Sequence, residues 1–166
     1  MTTKIGSAVT NKVLQRITGP GGVNAGLGAL TQPEREFAGL IDATQVRAVN
    51  VAVELAEKAT GVKYPAVNVY CEKIVNDLRE KFRKFSGTTQ MAIELRQSQD
   101  RLEGIQDRLE FYVDATMQML HASRGDWGDG MFYGGHYEVT FSPVKQGGRN
   151  FTQTAKVTFE IGVNKD

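Results

Sequence analysis

Residues 133–163 read YGGHYEVTFSPVKQGGRNFTQTAKVTFEIGV and carry the clearest periodic pattern in the chain. Apolar residues alternate with polar ones first over Tyr137–Phe141 and again over 151–163. A period of two with one apolar face is typical of a half-buried β-hairpin. The sequence therefore predicts two long strands, near 132–142 and 151–163, joined by a glycine turn.

The turn between these strands poses a register problem. A two-residue turn at Gly147 and Gly148 sets Val139 opposite Lys156, which places the apolar residues of the two strands on different faces. To keep the apolar residues of both strands on one face, the connection must have an odd number of residues or the hairpin must contain a bulge. Pro143 has no N–H to give to a ladder, so we expect regular pairing to stop near it and to leave a projecting, basic tip.

Composition narrows the class of protein. The chain has 166 residues with Lys+Arg 20 against Asp+Glu 19, which suits one domain and argues against a globally basic nucleic-acid or membrane-surface binder. The single cysteine, Cys71, excludes an internal disulfide and fits a reducing compartment. No apolar run approaches the roughly 20 residues of a membrane helix, and the N-terminus lacks a signal-peptide core, so we expect a chain made in the cytoplasm and no membrane partner.

The N-terminal part is the least specified. Val9, Val13 and Ile17 share a short helical face, and Gly19-Pro20-Gly21-Gly22 ends it. Residues 19–30 are rich in glycine but lack the Gly-Lys-Ser/Thr ending of a phosphate loop. Residues 1–31 are therefore predicted as a flexible arm, and 32–166 as a single α+β domain.

The middle of the chain switches between periods of two and 3.6. The alternation predicts strands near 46–55, 65–71 and 90–97, the first two pairing as a hairpin. Helical spacing predicts helices near 72–86, capped by Gly87, and 100–122, opened by a capping box at Asp100–Glu103. Thr31–Glu34 is a second capping-box candidate for a short helix. The expected fold is α+β, a mixed and mainly antiparallel sheet packed by two main helices. The residues that recur at helical spacing are Ile74, Val75, Leu78, Phe82 and Phe85 in the first helix, and Leu102, Ile105, Leu109, Tyr112, Val113 and Leu120 in the second.

The segment 123–135 contains five glycines, the only tryptophan and three other large apolar residues. Two interpretations are open: a loop whose exposed aromatics anchor a partner, or a lid folded over the core. The predicted subunit or partner interface combines this loop with the hairpin tip and consists of Trp127, Met131, Phe132, Tyr133, Lys145, Gln146, Gly147, Gly148, Arg149 and Asn150.

No pattern in the sequence predicts catalysis, a cofactor or a metal. Asp126 and Asp129 lack the ligand spacing of an EF-hand, and nothing in the sequence ties Cys71 to His121 or His136. The basic residues Arg79, Lys81, Arg83 and Lys84 and the acidic residues of the long helix are each interpreted as solvated faces.

Three parts of the sequence resemble structural proteins of tailed bacteriophages and prophages. These parts are VKYPAVNVYCEK (62–73), residues 84–103, and GDWG (125–128) with FYGGHYEV (132–139) and QTAKVTF (153–159). The size and the order of elements are most similar to neck and tail-completion proteins, especially tail terminators. The resemblance implies a virion subunit that forms a homo-oligomeric ring, commonly a hexamer, with the tail tube protein and head-tail connector proteins as partners and packaged DNA only as a passenger in the channel.

Two other functions remain open. The chain could be another phage component, such as a head-tail adaptor or head-completion protein, which the symmetry and copy number in a particle would distinguish. It could also be a small cytosolic enzyme or ligand-binding domain that uses the Trp127 loop as a lid, which would require a deep polar pocket.

Overall fold

The computed structural model describes residues 4–30, 38–52 and 62–166. The chain is α+β, as predicted, with helices packed on one face of a curled sheet. A single 3-10 turn at Ala43–Gln45 precedes the first strand. The elements are α1 (Ile5–Thr18), α2 (Val23–Gly28), β1 (Val46–Arg47), β2 (Ala66–Asn76), β3 (Phe85–Gln99), α3 (Ile105–Ala122), β4 (Gly125–Gly128), β5 (Met131–Phe141), β6 (Lys145–Gly147) and β7 (Asn150–Lys165).

The described strands form one sheet in the order β1-β2-β3-β7-β5-β4, with β6 also pairing with β7. β1 and β2 are parallel, and every other pair is antiparallel. The centre of the sheet is the long β3–β7 ladder, in which Phe85 lies opposite Lys165 and Gln99 opposite Phe151. The predicted mixed, mainly antiparallel sheet with a long C-terminal hairpin is confirmed.

The alternation of β3 and β7 determines which face of the sheet is buried. Met91, Ile93 and Leu95 pair with Phe159, Val157 and Ala155, and all six are buried in the core. Since successive side chains of a strand point to opposite faces, Glu94 and Lys156 lie on the other, polar face. The helices cover the apolar face.

The register of the C-terminal hairpin contains the one-residue shift that keeps the apolar residues of both strands on one face. Phe141 pairs with Ala155, whereas Lys145 pairs with Thr152, so four steps along one strand are matched by three along the other. This shift at Pro143 brings Val139 opposite Val157 and keeps the apolar residues on one face. Beyond it, Gly147 pairs with Asn150 around a turn at Gly148, whose φ of 65° favours glycine.

The long helix α3 packs on β3, β7 and α2 through the predicted stripe. Ile105, Leu109, Tyr112, Val113 and Leu120 are buried. Its start was predicted wrongly, because the helix begins at Ile105 after Gly104, whose φ is 79°. The Asp100–Glu103 segment therefore makes no capping box, and Leu102 is exposed.

The predicted helix over 72–86 is wrong. Residues 72–76 extend β2, and Lys73 to Asn76 pair with Gln90 to Gly87 after a bulge at Glu72. Gly87 caps no helix; it lies in β3, where a Cβ atom would overlap the carbonyl oxygen of Val75. The apolar spacing of this segment fits a helix, but strand pairing with β3 satisfies the same backbone groups and overrides local propensity.

Residues 4–30 are not a flexible arm. The predicted face of Val9, Val13 and Ile17 is buried in α1, and Val23 and Leu27 of α2 join the same core as β3 and β7. The break after α1 is where the glycines predict it, with Gly19 as the C-terminal cap. These residues therefore belong to the same packed unit as the sheet.

Only part of the predicted 46–55 strand is present. Val46 and Arg47 form β1, which pairs in parallel with Val67 and Asn68 and not as a hairpin. Residues 48–52 are irregular, and the rest of that prediction falls within 53–61, outside the described residues. The capping box at Thr31–Glu34 likewise falls within 31–37, outside the described residues.

Candidate interaction surfaces

The aromatic segment after α3 is a short hairpin of β4 and β5 whose large side chains point inward. Trp127, Met131 and Tyr133 are buried. The indole Nε1 of Trp127 donates a 2.7 Å hydrogen bond to the carbonyl oxygen of Ser123, and its ring lies 5.9 Å from that of Tyr133. The guanidinium of Arg16 in α1 lies 4.6 Å from the indole centroid, within cation–π range. The prediction that these three side chains anchor a partner is therefore wrong, because they already fill this chain's own core.

Phe132 is the exception in that segment. It alternates with Met131 and Tyr133 along β5, so it points to the opposite face, and 56% of it is exposed. Of the four apolar residues predicted as anchors, this is the one that a partner can still contact.

The hairpin tip is exposed, as its sequence predicts. Lys145, Gln146, Arg149 and Asn150 are all exposed, and Gly147 and Gly148 shape the turn between them. The tip extends past the point where β5 stops pairing at Phe141. It presents a basic surface beyond the core of the sheet.

The sequence did not predict the most exposed apolar surface of the described chain. Residues 77–84 form the loop between β2 and β3, here called the Phe82 loop, and it carries Leu78, which is 62% exposed, and Phe82, which is fully exposed. Both residues have left-handed backbones, with φ of 52° and 73°. Asn76 and Asp77 are turn-forming residues, and they are the signal that could have predicted a loop here.

The polar face of the sheet holds a network around Glu94. The Tyr70 hydroxyl donates a hydrogen bond to the Glu94 carboxylate. The Arg96 guanidinium forms a salt bridge with Glu94 and donates a hydrogen bond to the carbonyl oxygen of Val51. Burial, followed by the neighbouring Glu94, raises the pKa of Tyr70. Lys156 pairs with Glu72, which also accepts from Gln90. These contacts tie β2, β3 and β7 together on the face opposite the helices.

A small cleft lies beside this network. It has a volume of about 170 Å³ and is lined by the cations Arg47, Lys63 and Arg96 among other residues. Arg96 is 3% exposed, and its Nε and Nη1 atoms have no hydrogen-bond partner among the described residues. The cleft is smaller than the roughly 300 Å³ at which small-molecule sites begin.

The residues considered for chemistry are not brought together. Nε2 of His121 forms a 2.8 Å hydrogen bond with the hydroxyl oxygen of Tyr137, and Nε2 of His136 lies 3.7 Å from Oε1 of Glu138. Cys71 packs against Gly6 of α1, and burial raises the pKa of its thiol. Asp126 accepts from the N–H of Gly128, and Asp129 pairs with Lys12 of α1, which lowers the pKa of Asp129.

The basic residues of the Phe82 loop lie on an exposed loop and not on a helix. Arg79 pairs with Asp77, and Arg83 pairs with Glu80 and with Asp166. Within residues 4–30, 38–52 and 62–166, no three His, Cys, Asp or Glu side chains are grouped so that they could hold a metal ion. In the same residues, no helix combines the length and apolarity needed to cross a bilayer.

No protein-family model matches this sequence, and no curated protein matches it.

Proposed function

We propose that this chain is a structural subunit of the neck of a tailed bacteriophage or prophage particle. Its specific role is that of a tail terminator, whose copies form a ring that caps the tail tube and joins it to the head connector. The ring has six copies, and packaged DNA passes through it without being a specific ligand. In this role the chain forms contacts between subunits and catalyses no reaction.

One observation carries this proposal. The stretches that resemble structural proteins of tailed phages are distant in sequence, yet they overlap elements of one sheet: 62–73 overlaps β2, 84–103 overlaps β3, 125–128 and 132–139 overlap β4 and β5, and 153–159 overlaps β7. A resemblance confined to neighbouring strands is a resemblance of one structural unit.

The surface of the unit supports an assembly role. A ring requires contacts between two different patches on each copy. The exposed hairpin tip around Arg149 and the Phe82 loop are two such patches on different connections of the sheet. Among the described strands, β1 pairs only with Val67 and Asn68 of β2, and β4 pairs only with Met131–Tyr133 of β5. The other residues of β2 and β5 have no described strand on their outer sides, where a strand of a partner can be added.

The test is removal of the coding sequence from the phage or prophage that carries it. We expect micrographs of the resulting lysate to show full heads and separate tails that do not join. The purified chain, examined by light scattering and electron microscopy, should form closed rings of six copies.

Two outcomes would replace the proposal. Heads that lose their DNA beside normal, free tails would assign the chain to head completion. Intact, infectious particles formed without the chain would remove it from the neck altogether.

A further inference from the structure

The Phe82 loop, residues 77–84, is held in one conformation by side-chain hydrogen bonds. Asn76 accepts at Oδ1 from the backbone N–H of Leu78 and of Ser86. The Ser86 hydroxyl accepts from the N–H of Glu80 and donates to Asn164 of β7. The loop is therefore fixed to the end of the β3–β7 ladder, and its exposed side chains are presented in a defined position.

This conformation exposes large apolar side chains, which a folded chain ordinarily buries. Leu78 and Phe82 adopt the left-handed region without being glycine, which is a sparsely populated and strained backbone conformation. Against the described residues, Leu78 nevertheless keeps 62% of its surface exposed and Phe82 keeps all of it. A fixed, strained loop that displays an aromatic ring is the arrangement expected of a contact residue, because little side-chain entropy is lost when such a ring is buried.

The loop is also positively charged. It contains four basic residues and two acidic ones, and the two acidic residues are already paired, Asp77 with Arg79 and Glu80 with Arg83. Lys81 and Lys84 flank the loop tip and are exposed. A surface that receives Phe82 should therefore be apolar at its centre and acidic around it.

The outer face of α3 has this composition. Asp107, Glu110 and Asp114 are exposed and recur at steps of three and four residues, so they lie along one side of the helix. Phe111 and Met117 are half-buried at its border. This surface, here called the acidic face of α3, combines carboxylates with partly exposed apolar side chains.

The start of α3 and the Phe82 loop lie toward opposite ends of β3. Gln106, in the first turn of α3, hydrogen-bonds with Gln153, which pairs with Gln97 near the far end of β3. The Phe82 loop enters β3 at Phe85, twelve residues from Gln97, which is roughly 40 Å along the strand at about 3.3 Å per residue. Asp107 and Glu110, close to Gln106, are therefore distant from the Phe82 loop of their own copy, and a contact between them and the loop involves a second molecule.

We propose that the Phe82 loop of one copy docks on the acidic face of α3 of the next copy, with Phe82 packed beside Phe111 and with Lys81 and Lys84 opposite the carboxylates. The contact is head-to-tail, because each copy contributes a different patch, and repetition of such a contact closes a ring. The inference rests on the proposed ring and names the two surfaces that form it.

The experiment is a charge swap in the full-length chain. Lys81→Glu with Lys84→Glu should weaken self-association, measured by light scattering over a concentration series, by roughly tenfold or more, because like charges then face each other. Glu110→Lys with Asp114→Lys should have the same effect. A chain with all four changes should recover association close to that of the unchanged protein, since the opposite charges face each other again.

Further variants separate the docking from general effects of charge and folding. Glu138→Lys with Glu160→Lys, at exposed positions of β5 and β7, makes the same change in net charge as Glu110→Lys with Asp114→Lys and should leave association unchanged. Phe82→Asn, which tolerates the left-handed backbone, should weaken association without altering the circular dichroism spectrum. Added salt should weaken association of the unchanged protein as well.

The outcomes separate this docking from the ring itself. Rings that persist when either patch is reversed would overturn the docking and leave the ring in place. Loss of association that the four-fold variant does not restore would exclude α3 as the receiving surface. Binding of the Phe82 loop to anionic lipid vesicles by a chain that stays monomeric would assign the loop to a membrane surface, and a chain monomeric under all conditions would overturn both the docking and the ring.

Discussion

The indole Nε1 of Trp127 lies 2.7 Å from the carbonyl oxygen of Ser123, the C-cap residue that follows α3. A helix leaves its last carbonyl groups without partners inside the helix, and here the indole satisfies one of the groups at that end. The same ring contacts Arg16 of α1 and Tyr133 of β5. One side chain thus joins the N-terminal helix, the long helix and the β4–β5 hairpin.

Trp127→Ala should therefore destabilise the fold and not merely weaken assembly. We expect the free energy of unfolding to fall by about 3 to 5 kcal/mol, the usual cost of deleting a buried large aromatic side chain. Urea denaturation followed by circular dichroism measures it. Phe132→Ala, on the exposed side of the same strand, is the matched control and should change the free energy by less than about 1 kcal/mol.

The apolar stripe of α3 gives a second prediction about stability. Leu109 is fully buried against the sheet, so Leu109→Ala should cost about 2 to 5 kcal/mol. Leu102 lies before the helix and is exposed, so Leu102→Ala should leave the denaturation midpoint nearly unchanged. Equal midpoints for the two variants would contradict the packing described for α3.

Gly87 should tolerate no side chain. Its Cβ would overlap the carbonyl of Val75 in the neighbouring strand, so Gly87→Ala must separate β2 from β3 locally. We expect a loss of about 1 to 3 kcal/mol, typical of overpacking. Gly134 faces open space, and Gly134→Ala serves as the control; a Gly87→Ala protein as stable as this control would be inconsistent with the observed register.

The buried phenol of Tyr133 predicts a dependence on alkaline pH. Burial, followed by the nearby Tyr137, raises the pKa of Tyr133 to about 12, above its value of about 10 in the unfolded chain. The native state therefore holds this proton more tightly than the unfolded state. Its contribution to stability is complete below about pH 10 and is lost as the pH rises toward 12.

The measurement is the free energy of unfolding at several pH values between 9 and 12, beside an absorbance titration of the tyrosines. Tyr133→Phe should flatten the decline of stability in that range. A Tyr133 that ionises in the folded protein near pH 10 would contradict the assigned burial.

The hairpin tip yields a prediction about assembly. Arg149 is exposed at the turn, so Arg149→Glu should leave the unfolding curve within about 0.5 kcal/mol of that of the unchanged protein. We expect it to reduce the joining of heads to tails in particles, because it reverses the charge of the hairpin tip, which we propose as a second assembly patch beside the Phe82 loop. Arg149→Lys keeps the charge and should retain joining; equal particle yields for the two variants would place the contact elsewhere.

Much of the fold follows from local pattern. The alternation in 90–97 and 151–163 predicts the two central strands, because a strand buried on one face must alternate. The same alternation predicts an odd-length loop or a bulge in the hairpin, since a one-residue error would turn every apolar side chain toward the wrong face. The structure places this shift at Pro143. The stripe on α3 is equally local, because residues three and four apart share a helix face.

The sequence by itself also determined that the hairpin tip is basic and rich in glycine. In the structure, this tip lies exposed at the turn. It did not determine the end of β2. Ile74, Val75, Leu78 and Phe82 suit a helix as well as a strand with a loop, and only pairing with β3 decides between them. The sequence pattern therefore placed the Phe82 loop, the surface assigned to docking, inside a predicted helix.

Tertiary structure alone decided which apolar residues are available to a partner. Trp127, Met131 and Phe82 are all large and apolar and lie near turns, so their local sequence does not distinguish them. Trp127 and Met131 are buried because α1, α3 and β7 surround the β4–β5 hairpin, whereas Phe82 lies beyond the end of the sheet, where no described element packs on it. Burial depends on which surfaces meet in space, and for residues far apart in sequence that is fixed by the packing of the whole chain.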